Sequence, residues 1–295
     1  MRLATFVQSD GSRTTAPRLA VELSDGRLLP TRDLGSGMPD TIEALRAGGD
    51  AARTALGAAV ASATAPGLDP STVEVIAPLP RPGKVIAVGL NYFDHAREGG
   101  VEPPAEPMLF AKFTTSVVGP GVTVEWDPDL TASVDLEAEL GVVIGRTARR
   151  VPEAEALSYV LGYTCINDVS ARDLQKSDKQ FVRAKSLDTF CPMGPVVVTT
   201  DDIPDPQRLA IRSFVGDRVA QDSDTSQMIF SVARIIAFCS RAFTLEPGDV
   251  IATGTPSGVL VYRDPPERLH DGDLMTIEIE GIGRLTNPCR EVRPG

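Results

Sequence analysis

Residues 134–145 read VDLEAELGVVIG, a pattern that predicts the β-strand around which the other elements are arranged. Apolar residues alternate with acids up to position 140, and a β-branched run follows at 142–144. Because side chains alternate between the two faces of a strand, Asp135, Glu137 and Glu139 are expected on one face, with neighbours about 7 Å apart. Three like charges repel, so either water screens them or a cation lies among them.

Two interpretations of these acids stay open at this point. A solvated edge of a half-buried strand is the common explanation for alternating acids. The segment itself supplies no neutralising cation, since Arg146, Arg149 and Arg150 come after Gly145, where the strand is expected to end. A metal site would need further oxygen ligands from elsewhere in the chain and a reaction that requires them.

The composition of the chain limits the classes of protein to consider. Its 295 residues are 42% hydrophobic and 23% charged, which suits a globular protein with a large core. The net charge of −11 argues against binding to nucleic acid or to an acidic membrane surface. The first residues lack the apolar segment of a secretory signal, and no apolar run reaches membrane-spanning length, so a cytoplasmic location is expected.

Cysteine and histidine usage restricts the kind of metal site. The four cysteines are widely spaced with no C-x-x-C pair, which predicts buried free thiols rather than disulfides or a thiolate zinc site. The two histidines, His95 and His270, are too few for a histidine-rich site. Any metal is therefore expected to bind mainly to oxygen, which favours Mg²⁺, Mn²⁺ or Ca²⁺.

A proline-rich segment at residues 77–83 is typical of a linker and divides the chain. It predicts a small N-terminal domain over residues 1–77 and a main domain over residues 78–295. Strands dominate the main domain. Its clearest helix is predicted from Thr225 to Phe243, with Asp224 or Thr225 as the N-cap and an apolar stripe that indicates core packing.

A short helical turn follows the strand predicted at Lys84–Val88. On this turn His95 and Glu98 are three residues apart, so they lie on the same face and within reach of each other. A surface histidine beside a surface glutamate would give the same pattern. The glycines that flank the turn indicate a movable segment, and movable segments often carry or cover chemistry.

A second polar cluster follows the strand that ends at Asn167. Asp168, Arg172 and Gln175 are spaced to place an acid, a cation and an amide on one helical face. Taken alone, this spacing has an ordinary explanation that is preferred, which is an N-cap aspartate with an i+4 ion pair.

Three further segments carry polar residues in unusual surroundings. Lys112 is a lone lysine in an apolar strand, and Lys185 lies in a loop that enters a buried strand. The turn at residues 253–258 is rich in glycine and hydroxyl groups, so it suits a carboxylate, although a plain tight turn is also compatible.

Together these segments resemble the fumarylacetoacetate hydrolase family from about Pro82 to Asn287. Several ordered segments are far more specific than any one of them. The matching segments are VGLNY at 88–92 with His95, VDLEAEL at 134–140, NDVSARD at 167–173, KSLD at 185–188, LEPGDVI at 245–251 and TGTPSG at 253–258.

The resemblance implies a fold, a site and an assembly. The fold class is α+β, mainly β, with a mixed β-sandwich or roll as the main domain, a smaller N-terminal α+β domain and commonly a homodimer. The implied ligands of Mg²⁺ or Mn²⁺ are Glu137, Glu139 and Asp168, whereas Asp135 is not implied as a ligand. The implied catalytic groups are the acid/base dyad His95 and Glu98, together with Lys185. The residues implied to line the substrate site are Lys112, Arg172, Gln175 and Thr255.

The leading functional hypothesis is metal-dependent cleavage of a C–C bond in a 2-oxo or 2,4-dioxo acid. An acylpyruvate-type hydrolase and an oxaloacetate-type decarboxylase both fit, because a metal stabilises the enolate that such a cleavage leaves. Isomerisation of an unsaturated 2-hydroxy acid and dehydration of a 2-keto-3-deoxy sugar acid are the alternatives within the family. A metal-stabilised binding protein without turnover is the non-catalytic alternative.

Overall fold

The structure is a computed structural model that describes residues 1–9 and 14–293. The strands are β1 (Arg2–Val7), β2 (Arg18–Glu22), β3 (Leu28–Pro30), β4 (Glu74–Ile76), β5 (Val85–Gly89), β6 (Met108–Lys112), β7 (Val117–Val118), β8 (Val124–Trp126), β9 (Val134–Asp135), β10 (Ala138–Ile144), β11 (Val160–Asn167), β12 (Ser170–Ala171), β13 (Cys191–Thr199), β14 (Ala210–Val215), β15 (Arg218–Asp224), β16 (Val250–Ala252), β17 (Leu274–Ile279) and β18 (Gly283–Glu291). The helices are α1 (Ile42–Ala61), α2 (Phe93–Glu98), α3 (Arg172–Asp178), α4 (Phe181–Lys185) and α5 (Val232–Ala242).

The larger sheet has 11 strands, with β10 at an interior position between β11 and β16. Its main path runs β3-β2-β1-β13-β11-β10-β16-β5-β6, with β4 added beside β1 and β7 beside β13. Parallel and antiparallel pairs both occur in it. Because β10 is paired on both edges and buried on both faces, its apolar run at 142–144 is continuous rather than alternating.

The 11-stranded sheet and a five-stranded sheet pack face to face around one core, and a separate pair is formed by β9 and β12. The smaller sheet has five strands in the order β15-β14-β17-β18-β8. Leu140 and Tyr163 of the larger sheet belong to the same buried cluster as Ile211 and Ile277 of the smaller one. Helix α1 packs on a second buried cluster, at the larger sheet. The predicted fold class, α+β and mainly β, is confirmed.

The N-terminal strands extend the larger sheet. Strand β1 pairs with β13, with Leu3 opposite Val197. The Thr5 hydroxyl also donates to the backbone carbonyl of Pro78 at 2.8 Å, so the proline-rich segment packs against β1. The division of the chain at residue 77 stays a prediction. In the described part of the chain, no helix is both long enough and apolar enough to cross a membrane.

The helix predicted from Thr225 to Phe243, with Asp224 or Thr225 as its cap, is wrong in its first part. Helix α5 begins only at Val232, after a short 3₁₀ turn. Asn91 accounts for the interruption, because its backbone and side-chain oxygens accept the two N–H groups of Ile229–Phe230, each at 2.8 Å. These donors are thereby taken by a distant residue rather than by a helical turn.

The uninterrupted strand predicted at residues 134–145 is also wrong, because β9 and β10 are separate. The Asp135 carboxylate accepts the N–H of Leu136 at 2.9 Å, and the N–H of Glu137 donates to the Asn167 side chain at 3.1 Å. Side chains therefore take the backbone donors that a continuous strand would use. This break places Glu137 at the end of the sheet, where the candidate site lies.

Candidate metal and substrate site

Three buried carboxylates meet where β10 and β11 are paired. Glu137 precedes β10, Glu139 lies within it, and Asp168 directly follows β11. One ligand oxygen from each of them lies within 4.8 Å of the other two. The backbone N–H of Asp168 also donates to the carbonyl of Glu137 at 2.9 Å, which ties the two segments together.

Two buried lysines contact this carboxylate cluster. The Lys185 ammonium lies 2.6 Å from a carboxylate oxygen of Glu137 and 2.7 Å from one of Asp168. The Lys112 ammonium lies 2.5 Å from the other Asp168 oxygen and also donates to the backbone carbonyl of Lys185. Such close pairing is required, because an isolated buried carboxylate is very costly.

The lysines do not neutralise all three acids equally. Burial alone would raise the pKa of Glu137, but the charges of Lys185 and Arg172 outweigh it and lower that pKa to about 2. For Glu139, burial and the neighbouring charges of Asp168 and Glu137 raise the pKa well above its usual range. Glu139 forms no ion pair with any described residue, and only the N–H of Gly254 donates to its carboxylate, at 2.9 Å. The three carboxylates fit a divalent cation, which would supply the positive counter-charge that the Glu139 carboxylate lacks.

Asp135 has a different role from the three clustered acids. Its carboxylate accepts Nε of Arg172 at 2.9 Å and Nη2 at 2.8 Å. The other terminal nitrogen of Arg172, Nη1, lies 2.7 Å from a carboxylate oxygen of Glu137 and donates to the side-chain oxygen of Gln175 at 3.1 Å. Asp135 therefore fixes Arg172, which in turn orients Gln175 so that its amide N–H groups stay available.

The His95–Glu98 pair is held at the other wall of the site. Nδ1 of His95 lies 3.3 Å from one Glu98 oxygen, and the other Glu98 oxygen accepts the N–H of Gly258 at 2.9 Å. Asp94 accepts the N–H of His95 at 2.8 Å and the hydroxyl of Ser223 at 2.5 Å. These contacts attach helix α2 to β15 and to the loop after β16.

A cleft of about 440 Å³ brings most of the predicted site residues together. Its polar lining includes Glu137, Glu139, Asp168, His95, Arg172, Gln175, Lys185 and Thr255. Two predicted residues do not line it: Lys112 lies behind Asp168 and is 2% exposed, and Glu98 lies behind His95. The individual roles of all these residues stay predictions.

The sequence reasoning missed the apolar wall of the cleft. Phe110 and Phe181 meet edge to face with ring centres 5.4 Å apart, and the Lys185 ammonium lies 5.3 Å from the centre of the Phe110 ring. The ring of Tyr262 lies 5.6 Å from that of His95. Ordinary apolar and aromatic residues carry no sequence signal for such a wall, because core packing explains them equally well.

Lys185→Met should destabilise the protein most strongly when divalent cations are removed. The change leaves Glu137 and Asp168 buried without their shared ammonium, and breaking a buried pair in this way costs about 3–5 kcal/mol. Thermal unfolding should be followed in EDTA and in excess Mn²⁺, with a smaller loss expected in Mn²⁺. The exposed Lys176→Met is the matched control, with an expected effect within about 0.5 kcal/mol. Equal losses for Lys185→Met in EDTA and in Mn²⁺ would contradict this explanation.

The fold and the site together define the class of this protein. The family model described as "Fumarylacetoacetate (FAA) hydrolase C-terminal" matches residues 84–290. The chain therefore belongs to the fumarylacetoacetate hydrolase family, as the resemblance implied.

The chain is similar to several individual proteins of that family. It is 41% identical over 292 residues to "Oxaloacetate tautomerase fahd2, mitochondrial" of Xenopus laevis, a match that covers 98% of this chain and 90% of the relative. It is 46% identical over 220 residues to "Oxaloacetate tautomerase YisK" of Bacillus subtilis, covering 74% of this chain and 73% of the relative. Among solved structures, maleylpyruvate hydrolase from Sphingobium sp. SYK-6 in complex with manganese (II) ion and pyruvate is similar, with a TM-score of 0.80, 29% identity and coverage of 99% and 100%. Relatives of this chain are thus enzymes that act on small organic acids.

Proposed function

We propose that this protein is a divalent-metal-dependent enzyme that interconverts the enol and keto forms of oxaloacetate or of a closely similar 2-oxo dicarboxylate. The observation that supports the proposal most directly is the cleft itself, which combines a carboxylate triad, a buried lysine and a histidine. A reaction through an enolate needs charge stabilisation at one oxygen and proton transfer at the adjacent carbon. The two tautomerase relatives support this choice of reaction.

Glu137, Glu139 and Asp168 would hold the cation, for which we propose Mg²⁺ or Mn²⁺. When bound, the cation would supply Lewis-acid stabilisation of the negative charge on the enolate. Lys185 would add a fixed positive charge in a dry site, where such a charge is most effective. The amide of Gln175 and the hydroxyl of Thr255 would donate to substrate oxygens and fix its orientation.

His95 would transfer the proton in this reaction. In the direction from enol to keto, the hydroxyl hydrogen leaves as a proton and a proton is added at C3 of the substrate. Glu98 would keep the imidazole in position through the contact at Nδ1, which leaves Nε2 to face the cleft. The apolar wall would exclude water from the reacting carbon.

Cleavage of a C–C bond is the second candidate, and the His95–Glu98 pair favours it specifically. A histidine oriented by a carboxylate can activate water, which would add to the C4 carbonyl of a 2,4-dioxo acid before the C3–C4 bond breaks and the C4 fragment leaves as a carboxylic acid. Breaking that bond would leave the enolate of pyruvate, and decarboxylation of oxaloacetate would leave the same enolate. The Sphingobium structure, with manganese and pyruvate, supports this candidate. Isomerase and dehydratase activities stay as further predictions.

An assay with freshly dissolved enol-oxaloacetate separates these possibilities. Loss of the enol is followed by its ultraviolet absorbance, and pyruvate is followed in parallel with lactate dehydrogenase and NADH. A tautomerase accelerates enol loss without releasing pyruvate beyond the rate measured with Mn²⁺ alone. Stoichiometric pyruvate, from oxaloacetate or from an acylpyruvate, would favour the cleavage reaction instead. Mn²⁺ binding without either activity on a panel of 2-oxo acids would indicate the non-catalytic alternative.

Assembly and location also remain proposals. We expect a homodimer, which light scattering coupled to size-exclusion chromatography would test. The cytoplasmic location stays a prediction, and the Xenopus relative carries the word mitochondrial in its name.

A further inference from the structure

Gln221 lies beside the site, within the core between the two sheets, and is fully buried. It belongs to β15, in the smaller sheet, whereas Glu139 belongs to the larger sheet and Glu137 directly precedes strand β10 of that sheet. No pattern in the sequence singles it out, because the residues that follow it on β15, Asp222–Asp224, are polar as well. Its side chain nevertheless contacts both the backbone between the two glutamates and the turn that carries Thr255.

The hydrogen bonds of Gln221 use the full capacity of its amide group. The side-chain oxygen accepts the backbone N–H of Ala138 and the hydroxyl of Ser213, both at 2.8 Å. The side-chain nitrogen donates to the hydroxyl oxygen of Thr255 at 2.7 Å and to the carbonyl of Pro256 at 2.8 Å. A backbone N–H can only donate and a carbonyl can only accept, so the amide has one possible orientation.

This orientation determines what the Thr255 hydroxyl can do. Its oxygen accepts a hydrogen bond from Gln221, which leaves its own hydrogen to be donated elsewhere. Among the described residues that hydrogen meets no acceptor, while Thr255 lines the cleft and is 4% exposed. A substrate carboxylate oxygen in the cleft is the acceptor that this arrangement suits.

We propose that Gln221 is a positioning residue that sets the Thr255 hydroxyl as a hydrogen-bond donor to the substrate carboxylate. It acts through Thr255 and does not touch the substrate. The hydrogen bond from Ala138 fixes the position of Gln221 relative to the carboxylate triad, because Ala138 lies between Glu137 and Glu139 in the chain. This inference rests on the proposed function, since it assumes an anionic 2-oxo acid in the cleft.

The test uses calorimetry to measure the binding of oxalate to the Mn²⁺-loaded enzyme. Oxalate is a planar dianion that resembles the enolate of a 2-oxo acid. Gln221→Met keeps the length of the side chain and removes its four hydrogen bonds. We expect the dissociation constant for oxalate, and the KM for the substrate, to rise about tenfold, as for the loss of one bond to a charged group. The value of kcat should change less than KM. The matched control Ser213→Ala removes only one bond to the Gln221 oxygen and should stay within about twofold of wild type.

A double-mutant cycle shows whether Gln221 acts through Thr255. Thr255→Val removes the hydroxyl and should also weaken oxalate binding about tenfold, and adding Gln221→Met should weaken it little further. An additive loss of about a hundredfold would overturn the proposal, and so would wild-type oxalate affinity in Gln221→Met. A loss in Ser213→Ala as large as that in Gln221→Met would also overturn it, because a general disturbance of the core would then explain both.

Thr255→Ser keeps the inference testable if Gln221→Met does not fold. Serine retains the hydroxyl, so its oxalate affinity should stay within about threefold of wild type. A loss equal to that of Thr255→Val would overturn the proposal, because the hydroxyl would then not be the group that binds oxalate.

If the wild-type enzyme with Mn²⁺ neither binds oxalate nor turns over any 2-oxo acid, the proposed function fails and this inference fails with it. If the wild type does both while Gln221→Met is unchanged, only the inference about Gln221 fails.

Discussion

Glu139→Gln should abolish tight binding of the divalent cation, and turnover with it. Changes to groups that merely support a metal ligand cost about 10- to 100-fold in affinity, so loss of a ligand carboxylate should cost at least about a hundredfold. Glutamine has nearly the same size as glutamate and can still accept the hydrogen bond from Gly254. The effect should therefore come from charge rather than from packing.

Thermal unfolding with and without Mn²⁺ distinguishes loss of the cation from loss of the fold. Burial and the charges of Asp168 and Glu137 raise the pKa of Glu139, so a neutral side chain is favourable there in EDTA. Glu139→Gln should then unfold in EDTA at or above the wild-type temperature. Wild type should gain about 5–10 °C in Mn²⁺ at a hundred times its dissociation constant, and the variant should gain almost nothing. A Mn²⁺-dependent rise of wild-type size in the variant would rule out Glu139 as a ligand.

Asp135→Asn is the control on a neighbouring acid. The side chain of Asp135 is bound to Arg172 and to the backbone N–H groups of Leu136, Leu260 and Val261, and it is not part of the triad. The variant should lose stability, because Arg172 would keep only Glu137 as an anionic partner. It should nevertheless retain most of its Mn²⁺ affinity. A loss as large as that in Glu139→Gln would place Asp135 among the groups on which the metal depends.

The acids of the site could be found from the sequence because their signal is local. Glu137 and Glu139 lie two residues apart in an apolar stretch, and Asp168 follows an apolar strand directly. The order of such segments along the chain then indicated the family, and with it the mixed, mainly β fold. The geometry that brings the three acids together follows from pairing of β10 with β11, which local patterns alone do not specify.

Features that depend on distant contacts could not be predicted in this way. The strand breaks at residues 136–137 because side chains of Asp135 and Asn167 take its backbone donors. Helix α5 starts late because Asn91 takes two donors before it. Gln221 contacts the site from the opposite sheet, and its neighbours on β15 give no sign of this. In the first two cases a residue far along the chain, Asn167 or Asn91, takes a backbone donor that the local pattern assigns to a strand or to a helix.

His95→Ala should reduce turnover by about 10²- to 10⁴-fold, the usual contribution of a general acid or base. Mn²⁺ affinity should remain close to wild type, because His95 is not one of the three clustered carboxylates. A Mn²⁺-dependent thermal shift of wild-type size would show that the site is intact. This result would separate the proton-transfer role of His95 from a structural role.

Glu98→Gln provides the graded comparison for His95. The variant keeps the size of the side chain and can still accept the N–H of Gly258, but it loses the negative charge that faces Nδ1 of His95. Its turnover should therefore fall less than that of His95→Ala, since the imidazole remains in the cleft. Both rates are measured as loss of enol-oxaloacetate and as release of pyruvate, each in Mn²⁺. If His95→Ala retains the wild-type rate while still binding Mn²⁺, the acid/base assignment of His95 is wrong. Another group in the cleft must then transfer the proton, and Lys185 is the one nearest to the carboxylate triad.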